Sequence, residues 1–309
     1  MSEMNEPVNA IGVITDDPSI NIPVGESLRF NPCLITHEIQ PNSVWLKDWE
    51  SFDGILLSIH FANTDSHSIE GSAVMVAPGI ALCAKHVIEP NLANIMNATL
   101  GTVALALSRS GVQIWRITTM ALLNNSDLGI LGLTYSSKLP PNNVFNQATI
   151  STRMPKMGEN LLIAGFRASD YSFNISKNSN NETVMKYSGN VLVSNGPITN
   201  RFPTGRDTSM LPWPTLEVNC PSFGGMSGGP VFDSNGLLIG LLSSSYDEGP
   251  SYISLLWPAL VTEFEGGWPT SLFKGKTTLL NLSPTLCKID NPSVLKKNES
   301  GQVTYAPWE

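Results

Sequence analysis

The chain has 309 residues, of which 41% are apolar and 14% are charged, and its formal net charge is −8. This composition is typical of a globular protein with a substantial core, and it excludes collagen-like and disordered chains. Because no run of Lys or Arg is present and no apolar stretch approaches the about 18 residues of a membrane span, we expect neither a nucleic-acid nor a membrane partner.

The first segment, residues 1–51, is rich in Pro, Asn and Asp. Its start is acidic and lacks the basic residues and the apolar run of a secretory signal, which favours a cytoplasmic protein. Trp45 and Trp49 lie near its end, and two large aromatic side chains indicate that the segment packs on the body of the protein. A packing role is favoured for them over a ligand site.

Residues 71–84 read as an apolar strand, a turn at Pro78-Gly79 and a second apolar strand, and His86 follows closely. The other histidines lie in an apolar run or in polar stretches and have no comparable context: His60, His37 and His67. His86 is therefore the candidate catalytic base.

The most informative segment runs from Gly225 to Pro230 and reads Gly-Met-Ser-Gly-Gly-Pro, with Ser227 between glycines. Apolar runs at 215–219 and 236–242 flank it and read as buried strands. Glycines permit the positive φ angles of a sharp turn whose N–H groups converge. A hydroxyl beside converging N–H donors is half of an acyl-transfer site, namely a nucleophile with an oxyanion hole. An ordinary hairpin turn is the alternative.

Three motifs resemble those of the trypsin/chymotrypsin-like serine peptidases. They are the strand–turn–strand segment that leads to His86, Asp127 before the apolar run 128–133, and the glycine-rich loop around Ser227. The order of these three residues is that of this family and differs from the order in subtilisins and α/β-hydrolases. The resemblance covers about residues 52–260. A β-rich protein with a chance glycine turn is the alternative explanation.

The resemblance implies an all-β fold of two antiparallel six-stranded β-barrels, with the active site in the cleft between them. We expect the first barrel at 52–147, the second at 148–266 and a C-terminal extension at 267–309. Polar stretches at 169–183 and 199–214 interrupt the second barrel, and in this fold such loops ring the active site. Plain insertions are the alternative for both stretches.

The resemblance also implies roles for the site residues. Ser227 would attack the scissile carbonyl, His86 would transfer the proton, and Asp127 would orient His86. The N–H groups of Gly225 and Ser227 would form the oxyanion hole. The remaining residues are expected to form the substrate pocket: Pro221, Ser222, Ser243, Ser244 and Ser245. Because Pro221 stands where specificity for basic residues needs a carboxylate, we expect an uncharged side chain before the cleaved bond. We expect no metal and no cofactor.

Two positions depart from the secreted members of that family. Met226 stands where secreted zymogens carry an aspartate that pairs with a newly cut N-terminus, and a thioether cannot make that ion pair. We therefore expect no activation by clipping and a closer similarity to bacterial Deg/HtrA-like peptidases. Val87 stands where secreted relatives place a cysteine. The cysteines are widely scattered, which favours reduced thiols and a cytosolic setting: Cys33, Cys83, Cys220 and Cys287.

These observations predict an intracellular serine endopeptidase that cleaves a protein or peptide substrate. We expect its regulation to come from an activating partner protein or from loop ordering. Two other functions stay open. One is a catalytically silent scaffold that binds peptides or partner proteins in the same cleft. The other is an esterase, since the same three residues hydrolyse esters.

Overall fold

A computed structural model of the protein describes residues 7–35, 49–62, 67–96, 102–169, 171–245, 249–297 and 303–305. The predictions on His37 and Trp45 lie outside these residues. Among the residues described, no helix is both long enough and apolar enough to cross a membrane.

Strands dominate the described residues. In chain order they are β1 (Val8–Val13), β2 (Arg29–Cys33), β3 (Leu56–Ala62), β4 (His67–Ala77), β5 (Ile80–Cys83), β6 (Thr102–Ser108), β7 (Gly111–Leu122), β8 (Gly129–Tyr135), β9 (Val144–Ala148), β10 (Ile150–Ser151), β11 (Asn160–Phe166), β12 (Ser172–Lys177), β13 (Thr183–Gly189), β14 (Val191–Phe202), β15 (Thr215–Val218), β16 (Pro230–Phe232), β17 (Leu238–Ser245), β18 (Ser251–Leu255), β19 (Ile289–Asp290), β20 (Leu295–Lys297) and β21 (Val303–Tyr305).

The helices are short. The α-helices are α1 (Lys85–Ile88), α2 (Leu92–Met96), α3 (Trp257–Val261) and α4 (Leu279–Leu282). Single turns of 3-10 helix span Pro18–Asn21, Trp49–Phe52, Glu89–Asn91, Pro141–Asn143, Thr270–Leu272 and Pro292–Val294.

The first barrel closes in the strand order β3-β4-β5-β8-β7-β6, and every neighbouring pair is antiparallel. The predicted turn at Pro78-Gly79 joins β4 to β5, and Gly79 has φ +60°, the left-handed region that favours glycine. This short turn reverses the chain into β5, whose other end leads to His86.

Strand β4 shows why the apolar runs are continuous instead of alternating. Val74 and Val76 belong to one buried cluster, whereas Ala73 and Met75 belong to another. Successive side chains of a strand point to opposite faces, so both faces of β4 are covered. The run is apolar throughout because neither face meets water.

The second barrel closes in the order β11-β14-β15-β18-β17-β16, with β16 paired to both β17 and β11. The pairs within this ring are antiparallel, while β10 and β19 extend the sheet beyond β17 through parallel pairs. The predicted all-β fold of two six-stranded antiparallel barrels is thereby confirmed.

The segments outside the barrels pack against them. Strand β1 pairs with β13 in a three-stranded sheet with β12, so most of the stretch 169–183 belongs to a β-hairpin and not to a plain loop. In the C-terminal segment, Trp268 is fully buried against Trp115 and Tyr135, and its indole N–H donates to Asp17 at 2.7 Å. The domain boundaries at 51, 147 and 266 stay predictions.

Candidate active site

His86 and Asp127 are held together by two hydrogen bonds. Nδ1 of His86 lies 2.7 Å from Oδ2 of Asp127, and the backbone N–H of His86 donates to Oδ1 at 3.0 Å. The Asp127 side chain is 5% exposed and the His86 side chain 47% exposed. Because the buried carboxylate accepts from Nδ1, the neutral imidazole keeps its proton there and leaves Nε2 as an acceptor towards the cleft.

Local structure places these two side chains. His86 lies in α1, directly after β5, while Asp127 lies in the loop between β7 and β8. The N–H of Leu123 donates to the carbonyl of Leu128 at 3.0 Å and closes that loop. The N–H of Lys85 donates to the Asp127 carbonyl at 3.2 Å, which ties α1 to it.

Ser243 completes the surroundings of the Asp127 carboxylate. Its hydroxyl donates to Oδ2 at 2.5 Å across the boundary between the barrels. Ser243 was predicted as a pocket residue. It does line the cleft, yet its hydroxyl serves Asp127, a contact that depends on the packing of one barrel against the other.

The Ser227 loop is built on a turn from Phe223 to Met226. The N–H of Met226 donates to the Phe223 carbonyl at 3.0 Å, and Gly225 adopts φ +96°. A Cβ on Gly225 would lie 2.5 Å from the backbone nitrogen of Ala168, so this position requires glycine. Met226 is fully buried and fixes the loop to the core of the second barrel.

Two carbonyls of this loop are held by backbone N–H donors. That of Gly224 accepts from the N–H of Ala168 at 2.9 Å, and that of Met226 accepts from the N–H of Gly229 at 2.8 Å. In a planar trans peptide the N–H points away from the carbonyl. Fixing these two carbonyls therefore directs the N–H groups of Gly225 and Ser227 to the opposite side.

Those two amides are available as donors. Within the described part of the chain, neither the N–H of Gly225 nor that of Ser227 donates a hydrogen bond. Two free N–H groups beside a serine hydroxyl are what an oxyanion hole needs, since they can meet charge that develops on a substrate oxygen.

A cleft of about 420 Å³ brings most of the predicted site residues together. Its lining is His86, Asp127, Met210, Leu211, Trp213, Ser222, Phe223, Gly224, Ser227, Leu242, Ser243, Ser244 and Ser245. Pro221 and Gly225 do not contribute to this lining. Among the described residues no hydrogen bond joins the hydroxyl of Ser227 to His86.

Comparison with known proteins decides the family. Residues 71–241 match the trypsin-like peptidase domain. The chain belongs to this family. It is accordingly a serine endopeptidase, and the predicted family resemblance is confirmed.

Solved structures of other proteases are similar to this trypsin-like peptidase. The Rv3671c protease from M. tuberculosis in its active form shares 15% identity over 75% of this chain and 89% of that chain, with a TM-score of 0.47. The MamO protease domain from Magnetospirillum magneticum shares 11% identity over 65% of this chain and 91% of that chain, with a TM-score of 0.43. The serine endoprotease from Yersinia pestis shares 20% identity over 65% of this chain and 58% of that chain, with a TM-score of 0.41. No curated protein sequence matches the chain.

Ser222 lines the peptidase's pocket, and the buried Ser251 lies next to it. Ser251 donates to the Cys220 carbonyl at 2.8 Å and lies 3.1 Å from the hydroxyl of Ser222, with both serines buried. Asp127 is the one carboxylate among the described residues that line the cleft, and His86 already binds it. The described lining residues thus offer no free negative charge to a basic side chain.

One wall of the cleft comes from the loop between β14 and β15. Met210, Leu211 and Trp213 line it, and Met210 is 65% exposed. The polar stretch 199–214, with Trp213 in it, was placed near the active site from the sequence, but Met210 and Leu211 were not singled out. The signal that could have found them is an adjacent pair of apolar residues within a polar stretch.

Asp207 stabilises the conformation of this loop. Its Oδ1 accepts from the N–H groups of Ser209, Met210 and Leu211 at 3.0, 2.6 and 3.3 Å. Its Oδ2 accepts from Arg206, whose guanidinium lies 4.4 Å from the centre of the Tyr252 ring. The Met210 N–H, followed by Arg206 and the other donors, holds the pKa of the Asp207 carboxyl well below its usual range.

The other expectations concern His60, metals and thiols. His60 lies in β3 and is fully buried against aromatic rings, away from the cleft lining. Among the described residues no group of His, Cys, Asp and Glu is placed to hold a metal ion. All four cysteines are free, and burial raises the pKa of the Cys220 and Cys287 thiols to about 12.

Proposed function

We propose that the protein hydrolyses peptide bonds through an acyl-enzyme formed on Ser227, with His86 as general base and acid and Asp127 as its orienting partner. The observation that carries this proposal is a buried Asp127 holding His86 at the edge of a cleft that also contains Ser227 and two free amides. This arrangement supports the role proposed for each group.

In the first half-reaction the Ser227 hydroxyl oxygen attacks the scissile carbonyl carbon, and its proton passes to Nε2 of His86. The carbonyl oxygen becomes an oxyanion facing the N–H groups of Gly225 and Ser227, each contributing about 3 kcal/mol in the transition state. His86 then donates the proton to the leaving amine, and the C–N bond breaks to give the acyl-enzyme.

In the second half-reaction water replaces the amine. His86 takes a proton from water, the resulting hydroxide adds to the acyl carbon, and the proton returns to the Ser227 oxygen as the acid leaves. Asp127 stays ionised throughout and stabilises the imidazolium. The Ser227–His86 hydrogen bond has to form as substrate enters, because catalytic contacts tighten in the Michaelis complex.

The substrate is a protein or peptide with an uncharged side chain before the cleaved bond. The hydroxyl of Ser222 and the apolar side chains of Met210 and Trp213, which line the cleft, support this preference. The four free thiols support an intracellular setting in the cytoplasm.

Regulation by a partner protein or by loop ordering is part of the proposal, and N-terminal clipping is not. Met226 occupies the position of the zymogen aspartate and is fully buried in an apolar cluster. No ion pair with a new N-terminus is available there. An activator would shift the loop towards its active form only by binding that form more tightly.

A fluorophosphonate probe tests the proposed activity, since it labels only an activated serine. Intact protein, its N-terminus verified by mass spectrometry, is expected to gain one label on Ser227, and Ser227→Ala none. Labelling that appeared only after removal of residues 1–51 would contradict the proposed regulation. No labelling in either form, with or without a peptide substrate as activator, would contradict catalysis.

The second candidate is the catalytically silent scaffold. The one observation in its favour is the missing hydrogen bond between the Ser227 hydroxyl and His86 in the described structure. For such a scaffold, peptide binding in the cleft would persist while the fluorophosphonate leaves Ser227 unlabelled.

A further inference from the structure

Ser72 links the two barrels at the Ser227 loop, here called the nucleophile loop (residues 224–229). It lies in β4 of the first barrel and is fully buried. Its N–H donates to the Ser227 carbonyl at 2.7 Å, and its hydroxyl donates to the Gly225 carbonyl at 2.8 Å. Among the described residues, this hydroxyl gives the sole side-chain hydrogen bond to residues 224–229.

The direction of the Ser72 hydroxyl is fixed from its other side. The N–H of Phe166, at the end of β11, donates to Oγ of Ser72 at 3.0 Å. A hydroxyl has a single proton, so an oxygen that accepts from Phe166 directs its own proton to Gly225. The three residues form a chain of hydrogen bonds from β11 through β4 to the nucleophile loop.

Loss of the hydroxyl would leave the buried N–H of Phe166 and the partly buried carbonyl of Gly225 without a partner. The Gly225 carbonyl would then gain from turning towards another donor or towards water. Glycine offers little resistance, because it adopts φ angles of either sign. That carbonyl shares its peptide with the N–H of Met226, so turning it would break the Met226–Phe223 hydrogen bond and open the turn whose central peptide carries the Gly225 N–H.

We propose that Ser72 is a positioning residue of this peptidase: it holds the Gly225 carbonyl, keeps the Phe223–Met226 turn closed and thereby keeps the N–H of Gly225 aimed into the oxyanion hole. The role rests on the proposed function of Ser227 and the two amides. It also makes the packing of the barrels a condition of activity, since the serine belongs to one barrel and the loop to the other. Gly71 permits the approach, because a Cβ there would lie 2.8 Å from the Ser227 carbonyl oxygen.

The test compares Ser72→Ala with Ser58→Ala. Ser58 is the residue opposite Ser72 in the β3–β4 register and is equally buried, but its hydroxyl contacts His60 and the Leu105 carbonyl instead of the loop. Fluorophosphonate titration gives the concentration of active sites, to which kcat is normalised. We expect Ser72→Ala to lower kcat by about 10–100-fold with KM within about twofold, since removal of a whole oxyanion donor costs about 100-fold or more. Ser58→Ala should keep kcat within about twofold. Ser72→Cys, which retains a weak donor, should recover part of the loss.

A peptidyl trifluoromethyl ketone, which forms a tetrahedral oxyanion adduct, supplies a readout that a purely structural role would not move. Its Ki is expected to rise by the same factor by which kcat/KM falls in Ser72→Ala. An unchanged normalised kcat in Ser72→Ala, or an equal loss in Ser58→Ala, would overturn the role of Ser72 alone. A wild-type protein that the fluorophosphonate never labels would overturn the proposed function, and this role with it.

Discussion

Ser243 of β17 donates its hydroxyl to Oδ2 of Asp127 at 2.5 Å, so a residue of the second barrel completes the carboxylate site of the first. His86 supplies the other two donors to this carboxylate, through its ring and its backbone N–H. The orientation of His86 therefore depends on how the barrels pack against each other.

Substitution of Ser243 measures that dependence. Ser243→Ala removes one of the three donors, and a hydrogen bond to a charged group contributes about 1.5–3 kcal/mol. Because the two donors from His86 stay, we expect kcat to fall about tenfold with little change in KM. Steady-state kinetics on a peptide substrate give both parameters. Ser244→Ala is the matched control, since Ser244 lines the same cleft without contacting Asp127. A loss of kcat as large in the control would assign the effect to the cleft wall.

Combined substitution of Ser227 and His86 tests whether they act as one unit. Ser227→Ala or His86→Ala alone should lower kcat by several orders of magnitude, because neither residue performs its step without the other. The double variant should be about as slow as either single variant. Circular dichroism checks that all three keep the fold. Losses that multiply, or a single variant with most of its activity, would refute the assignment.

The fold was predictable because its signals are local. The turn at Pro78-Gly79 and the apolar runs around it specify β4 and β5 without reference to distant residues. His86, Asp127 and Ser227 were likewise found from short motifs, each in its own strand context. Strand β12 and the turn that follows it were read as a polar loop, because β12 is largely exposed and carries little apolar pattern.

The hydrogen bonds that Ser72 and Ser243 donate to the site residues could not be predicted, because they join segments far apart in the chain. Ser72 and Gly225 are separated by 153 positions, and Ser243 and Asp127 by 116. In β17, moreover, an irregularity in register lies between Leu242 and Ser244, which interrupts the alternation of faces. Nothing in the run of three serines shows which hydroxyl meets the carboxylate.

The cysteines should behave as four reduced thiols. In denaturant without reductant, titration with a thiol reagent is expected to count four, since all four are free in the structure. Burial raises the pKa of all four thiols. In the native protein Cys33 should react first, because it is only partly buried, whereas the sulfurs of Cys83, Cys220 and Cys287 are buried. A count of two or zero in denaturant would indicate disulfides and an exported protein.

The wall formed by Met210 and Trp213 should set affinity for substrate more than the rate of chemistry. Asp207 holds this wall in place through three backbone N–H groups, and Arg206 holds Asp207. Asp207→Ala frees those donors and lets the loop move, which removes binding made equally in the ground and transition states. We expect KM for a peptide with apolar residues before the cleaved bond to rise about tenfold with kcat nearly unchanged.

In the wild type, protonation of Asp207 should raise KM as Asp207→Ala does, but only at very low pH. A lowered folded-state pKa means that the carboxylate stabilises the loop above its unfolded pKa of about 4, and that this stabilisation is lost as pH falls through the still lower folded value. KM of the wild type should therefore stay flat from pH 7 to about 4.5 in kinetic assays.

Met210→Ser supplies the matched comparison for Asp207→Ala, since it removes apolar surface from the wall and leaves the Asp207 carboxylate in place. Asp207 acts through the position of the wall, so the double variant Asp207→Ala/Met210→Ser should bind substrate little worse than Asp207→Ala. A KM that rises by the product of the two single effects would mean that Asp207 contacts the substrate by a route of its own.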